Sequence, residues 1–236
     1  MGANAQIAVP VFTSGQVLTA AQVTQINTGV PVFATTVTRD AAFGGTGEKV
    51  LAQGQYAYIE ATSTLQVYNG SAWVSAISSG LNLITSQVIG SGVASVQVTG
   101  AFSTTYDAYK IIIAGGAGSS ANAGIRMTLG ATTANYYYGI PLAIYSGGGY
   151  ASLAGTNTSS WEVGSVNAAS LNVNVELVDP FTAKITKMFA QVAKDTSGGS
   201  GGGFLDNTTS YTAFTFTPSA GTFTGGTIYV YGYAKA

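Results

Sequence analysis

Between Leu171 and Leu177 the chain alternates without a break: Leu171, Val173, Val175 and Leu177 are apolar, whereas Asn172, Asn174 and Glu176 are polar. Successive side chains of a β-strand point to opposite faces, so this stretch must bury one face and wet the other. Asp179-Pro180 stops it, because proline brings no N–H to a ladder. Further strands are expected at Val93–Val98, Ala108–Ala114, Gly124–Leu129, Tyr136–Ile144, Ser160–Val166, Ala183–Ala193, Tyr211–Phe216 and Gly226–Tyr233. The last sets Ile228 and Val230 against Tyr229, Tyr231 and Tyr233. Residues 93–236 are too dense in Gly, Thr, Val and Tyr for a helical reading. The expected fold class is mainly β, with an antiparallel, jelly-roll-like β-sandwich over 93–236.

Charge is nearly missing from this chain. Charged residues make up 7% of 236, with eight Lys or Arg against nine Asp or Glu; about 25% is usual. A net charge of −1 gives no electrostatic footprint for nucleic acid or an anionic membrane. His and Cys are both absent. That excludes a Ser-His-Asp triad, a thiol nucleophile, a disulfide and a His/Cys zinc site. The longest apolar runs, Leu81–Ile89 and Lys110–Gly118, are broken by polar residues or glycine and fall short of the roughly 20 residues of a spanning helix. The N-terminus has no basic region leading into a long apolar run, so no secretory leader is read there. The expectation is a protein without cofactor or metal, and without nucleic-acid or membrane partners.

Residues 1–30 hold an extended arm, Ala8-Val9-Pro10-Val11-Phe12, and the start of a short helix. Thr19-Ala20-Ala21-Gln22 reads as a capping box, Val23 and Ile26 supply the apolar side, and Gly29 with Pro31 ends the run. Two turns of helix do not stand alone in water. The segment must dock, either as an assembly anchor or back onto its own domain; Val9, Val11, Phe12, Val17, Leu18, Val23 and Ile26 are its expected contacts. Residues 31–76 are read as a small β unit with strands at Gly54–Glu60, Thr64–Tyr68 and Ala72–Val74. Asn69-Gly70 makes a turn in it, and Trp73 is expected as the lid over Leu65 and Val67. Residues 77–92 look like a connector with some strand character.

No constellation of acids signals catalysis. Glu176 sits on the polar side of a strand, Asp179 in a turn and Asp107 at a strand start, all ordinary structural places. Ala114-Gly-Gly-Ala-Gly118 lacks the spacing and the following helix of a dinucleotide loop. Ser197-Gly-Gly-Ser-Gly-Gly-Gly203 reads as a flexible loop, either a tip that adapts to a receptor or a tolerated long turn. The strongest binding candidates are aromatic. Tyr136, Tyr137, Tyr138, Tyr145, Tyr150 and Trp161 surround Gly147-Gly-Gly149 and offer flat apolar faces with hydrogen-bonding edges. They suit subunit packing or stacking on sugar rings. Alternation requires at least one of the three consecutive tyrosines to point away from the others.

The stretch from Val11 to Asn27, with Gly15-Gln16-Val17-Leu18-Thr19-Ala20-Ala21 at its centre, resembles the opening of many bacteriophage tail-fibre and minor tail proteins. Arg39-Asp40-Ala41-Ala42-Phe43, Gly54–Glu60 and Leu65–Trp73 together are similar to a module common in phage virion proteins. The C-terminal domain looks like the terminal β-sandwich of phage fibres, which is often trimeric. The resemblance implies a non-enzymatic structural component at the virion surface: a short homotrimeric fibre, attached to other virion proteins through its N-terminus, with a distal head that can touch host glycans. It leaves open tail or baseplate mounting against capsid decoration. A polysaccharide-degrading tailspike and a bacterial surface adhesin remain as rival readings.

Overall fold

The computed structural model describes residues 13–20, 29–44, 49–77 and 80–235. The chain divides into two compact units, Met1–Ser78 and Ser79–Ala236. The helix expected after Thr19 falls largely on residues 21–28, outside the described residues.

In the first unit, β1 (Val32–Phe33), β2 (Tyr56–Ile59), β3 (Thr64–Tyr68) and β4 (Trp73–Ser75) form a sheet in that order, with β1 parallel to β2. A short helix, α1 (Thr36–Asp40), lies between β1 and β2 in sequence. Its start is a capping box that the sequence reading missed: Thr35 Oγ1 accepts from the Thr38 N–H at 3.2 Å, and Thr38 Oγ1 accepts from the Thr35 N–H at 3.0 Å. Phe33, Ala42, Ala57 and Ile59 are fully buried, and Phe43 and Trp73 pack against them. The expected hairpin is present, with Tyr56 opposite Val67 and Ile59 opposite Thr64. Trp73 is not the lid over Leu65 and Val67. It pairs with Tyr68, so it shares the face of Gln66 and Tyr68, and its ring meets Phe43 and Tyr68 at centroid distances of 5.8 and 5.7 Å. A register one residue away from the expected one is enough to flip a side chain across a sheet.

The second unit is an antiparallel β-sandwich. It contains β5 (Leu81–Val88), β6 (Ser91–Val93), β7 (Val96–Val98), β8 (Ala108–Ala114), β9 (Ala117–Gly118), β10 (Ala123–Leu129), β11 (Tyr136–Ile144), β12 (Tyr150–Thr158) and β13 (Trp161–Val166). After these come β14 (Leu171–Val178), β15 (Thr186–Ala193), β16 (Ser197–Leu205), β17 (Phe214–Pro218), β18 (Phe223–Thr224) and β19 (Thr227–Tyr233). The strand with the clearest alternation is the branch point. β8 runs along one edge of β14 through Val173–Val178, while the other edge pairs β13 through Leu171–Val173 and then β15 through Asn174–Val178. One arm therefore reads β5-β19-β8-β14-β15-β16-β11-β12, and the other reads β13-β10-β17-β7. Inward residues of both arms, among them Ile111, Val175, Leu177 and Val230 from the first and Ile125, Met127, Val163 and Phe216 from the second, form one buried core. Strands β6, β18 and β9 make a small separate sheet.

The strand character expected within 77–92 is realised as β5, Leu81–Val88, which is hydrogen-bonded along β19 and makes this stretch part of the second unit rather than a connector to it. Strand β12 is not among the expected strands. The glycine run Ser197–Gly203 is no loop. It is strand β16, held between β11 and β15. A Cβ at Gly199, Gly201 or Gly203 would collide with the carbonyl oxygens of Pro141, Gly139 and Tyr137 respectively. Glycine here lets the β11 backbone come against β16 closely, the kind of approach that side chains forbid.

Candidate functional site

The six aromatic candidates do not form one cluster. Tyr136 and Trp161 are fully buried and meet edge-on, with centroids 4.9 Å apart at 84°. Both polar tips are satisfied internally: Tyr136 Oη accepts from the Leu129 N–H at 2.8 Å and donates to the Thr132 carbonyl. Trp161 Nε1–H is shared between the carbonyls of Tyr137 and Phe204. Burial drives the Tyr136 phenol pKa well above the usual tyrosine range, which keeps it protonated. Tyr138 is half-buried against the same core, and its pKa is raised by burial and by the Glu162 charge. Tyr137 takes the opposite face, as alternation requires, and stacks on Phe204 at 4.8 Å and 6°. Tyr145 and Tyr150 flank the Gly147-Gly148-Gly149 turn and are 61% and 84% exposed. The β11–β12 hairpin places them roughly 30 Å from Tyr136, about nine residues of extended strand away.

Of the expected anchor residues, Val17 and Leu18 are exposed. Val9, Val11, Phe12, Val23 and Ile26 lie outside the described residues.

The outward face of the longer arm carries a richer arrangement. Cross-strand register sets Tyr231, Lys110, Glu176, Phe189 and Gly202 in one row. The next row holds Tyr229, Ile112, Asn174, Gln191 and Ser200. Glu176 Oε1 accepts from Lys110 Nζ at 3.1 Å and from the Tyr233 hydroxyl at 2.7 Å. These donors hold the carboxyl below its ordinary range, Tyr233 contributing most, while burial and Glu176 together push the Tyr233 phenol up to about 12. Asn174 Nδ2 donates to Gln191 Oε1 at 2.6 Å. Phe189 stands 55% exposed beside them. Because Gly202 raises no side chain beside Phe189, a groove of about 440 Å³ opens over β16. Lys110, Asn174, Glu176, Phe189, Gln191 and Ser200 line it. The sequence showed the alternating polar residues of β14, but the groove needed β16 as a strand, and glycine offers no pattern from which to read one.

In the first unit, Arg39 is 6% exposed and lies 4.8 Å over the Trp73 ring. Its guanidinium donates twice to Asp40 Oδ1, at 2.8 and 2.6 Å, and also to Gln66 Oε1. This fastens α1 to the β3–β4 hairpin. Elsewhere Glu162 pairs Lys194 at 3.5 Å, and Asp107 pairs Lys235 at 2.9 Å. Among the described residues, no group of three or more acids could hold a metal ion, and no helix is long and apolar enough to cross a membrane.

No protein-family model, curated protein or solved structure matches this chain.

Proposed function

We propose that this chain is a non-catalytic structural component of a bacteriophage virion, a short surface fibre that assembles as a homotrimer and carries a recognition head. The observation that carries the reading is the broad, nearly neutral sheet face of the second unit, on which Phe189, Leu83, Tyr229 and Tyr231 stand among amides and hydroxyls. Such a face works by shape and stacking. Four carboxylates, Asp107, Glu162, Glu176 and Asp40, are engaged with cations, an arrangement that favours structural over proton-transfer roles. Trimer formation is supported by β12, an edge strand whose nine residues carry no charge and include no buried position. Placement on a phage particle rests on the likeness of Val11–Asn27 and Arg39–Trp73 to phage fibre sequences, with the N-terminus as the attachment segment.

The test is direct. Purified particles should contain the chain by mass spectrometry, deletion of residues 1–30 should abolish incorporation, and the free protein should have the solution mass of three chains. A single-chain mass at micromolar concentration would remove the trimer, and particles lacking the chain would remove the virion role. Labelling at many icosahedral sites would move the mount from tail to capsid.

A further inference from the structure

The groove over β16 has a floor of bare backbone at Gly201 and Gly202, one wall bearing Phe189 and Gln191, and polar groups from β8 and β14 at its margin. We infer that it binds a neutral saccharide of one or two rings, with the apolar ring face on Phe189 and vicinal hydroxyls on Asn174, Glu176, Gln191 and Ser200. The inference rests on the reading of the second unit as a recognition head and gives that head its ligand class.

Three properties of the groove carry this. The first is its unused hydrogen-bonding capacity. Asn174 spends its Nδ2 and Gln191 its Oε1 on each other, which leaves Asn174 Oδ1 as an acceptor and Gln191 Nε2 as a donor. Lys110 and Tyr233 both donate to Oε1 of Glu176, so Oε2 remains to accept. Acceptors and a donor thus stand on adjacent rows of the sheet, roughly 7 Å apart along each strand and about 5 Å apart across strands. Hydroxyls that both donate and accept, set around a rigid ring, match such a surface. The second is charge. Lys110 and Glu176 neutralise one another, so the groove offers no uncompensated cation to a phosphate or an acidic sugar.

The third property is the mixture of apolar and polar surface. Phe189 gives a ring face half open to water, and about 440 Å³ lies within the roughly 300–1,000 Å³ of small-ligand sites. A second copy of the chain is a poorer occupant. It would have to cover an ion pair whose side chains are 27% and 41% exposed, together with amide groups that need replacement partners.

The experiment uses the full chain and NMR. Neutral oligosaccharides of glucose, galactose, mannose and rhamnose are titrated to millimolar concentration, with a sialylated oligosaccharide and inorganic phosphate as anionic probes. At least one neutral sugar is expected to shift the side-chain amides of Asn174 and Gln191 and the backbone amides of Gly201 and Gly202. Phe189→Ala and Gln191→Ala should each weaken that binding about tenfold, with unchanged circular dichroism, since Phe189 supports no core. The inference is overturned if no neutral sugar binds, if both variants bind as the parent does, or if an anionic probe binds more tightly. It is also overturned if the groove signals report burial by a second copy as protein concentration rises. Particles made with Phe189→Ala separate the two claims: lost sugar binding with normal incorporation keeps the virion role. Sugar binding by a chain that particles lack would remove that role alone.

Discussion

Two donors converge on one oxygen of Glu176, which lowers the carboxyl's pKa and adds to the burial that raises the Tyr233 phenol's. The carboxyl is held below its ordinary 4.5, so its contribution to stability is present above that value and disappears as pH falls through the lowered one. The Tyr233 phenol is raised from 10.0 to about 12, so its contribution is complete below 10.0 and disappears as pH climbs through 12. Glu176→Gln should bring the Tyr233 titration part of the way back towards 10.0, read from its ring-carbon NMR signal; an unchanged midpoint would mean that burial alone sets it. Arg39 is the corresponding residue in the first unit. Arg39→Lys keeps the charge but loses the planar fork that reaches Asp40 and Gln66 and lies over Trp73. It should lower the stability of that unit by about 1–2 kcal/mol, monitored by Trp73 fluorescence in a Trp161→Phe background. Sequence reading made Trp73 the lid over Leu65 and Val67 and Trp161 a candidate for receptor or subunit contact, and neither ring faces that way. Trp73 turned on a register that only pairing with Tyr68 fixes, and Trp161 went inside because its N–H finds two carbonyls there.

At the scale of elements, legibility followed burial. β14 and β19 were readable because one face of each is buried and the other is not, which writes alternation into the residues. β12 was not, since none of its positions is buried and nothing selects a pattern. β5 begins as Leu81-Asn-Leu83, but a bulge between the residues opposite Val230 and Tyr231 breaks the period. β16 was hidden by glycine. Its requirement can be tested by contrast with a neighbour in the paired strand. Gly201→Ala should destabilise the second unit by about 2–3 kcal/mol, because the added methyl meets the Gly139 carbonyl of β11. Gly139→Ala, which meets nothing within 4 Å, should be neutral or slightly stabilising. Equal urea midpoints for the two variants would refute the close-approach account.

For the whole molecule, the scarcity of charge sets how it responds to its surroundings. The two units are built on apolar cores, with few ion pairs, most of them at least partly exposed. Screening therefore has little to weaken. The melting temperature should move by only a few degrees between low salt and about 1 M sodium chloride; a large drop would show that stability depends on long-range electrostatics after all. The absence of mutual repulsion also leaves exposed uncharged edges such as β12 free to meet other chains, which makes oligomeric state the property most worth measuring.

Strand β19 lies between β5 and β8, and among the described residues β5 pairs with no other strand. On the ribosome, β5 is therefore made first among the strands of its unit and must wait for the last of them before it can pair. A nascent chain stopped before Thr227 would carry β5 without a neighbour and β8 with one edge open, both ready to join a foreign strand. Closure by the final strand thus makes a finished second unit a certificate that translation ran through to Tyr233, and it ties the pairing of sequence-distant β5 and β19 to the end of synthesis.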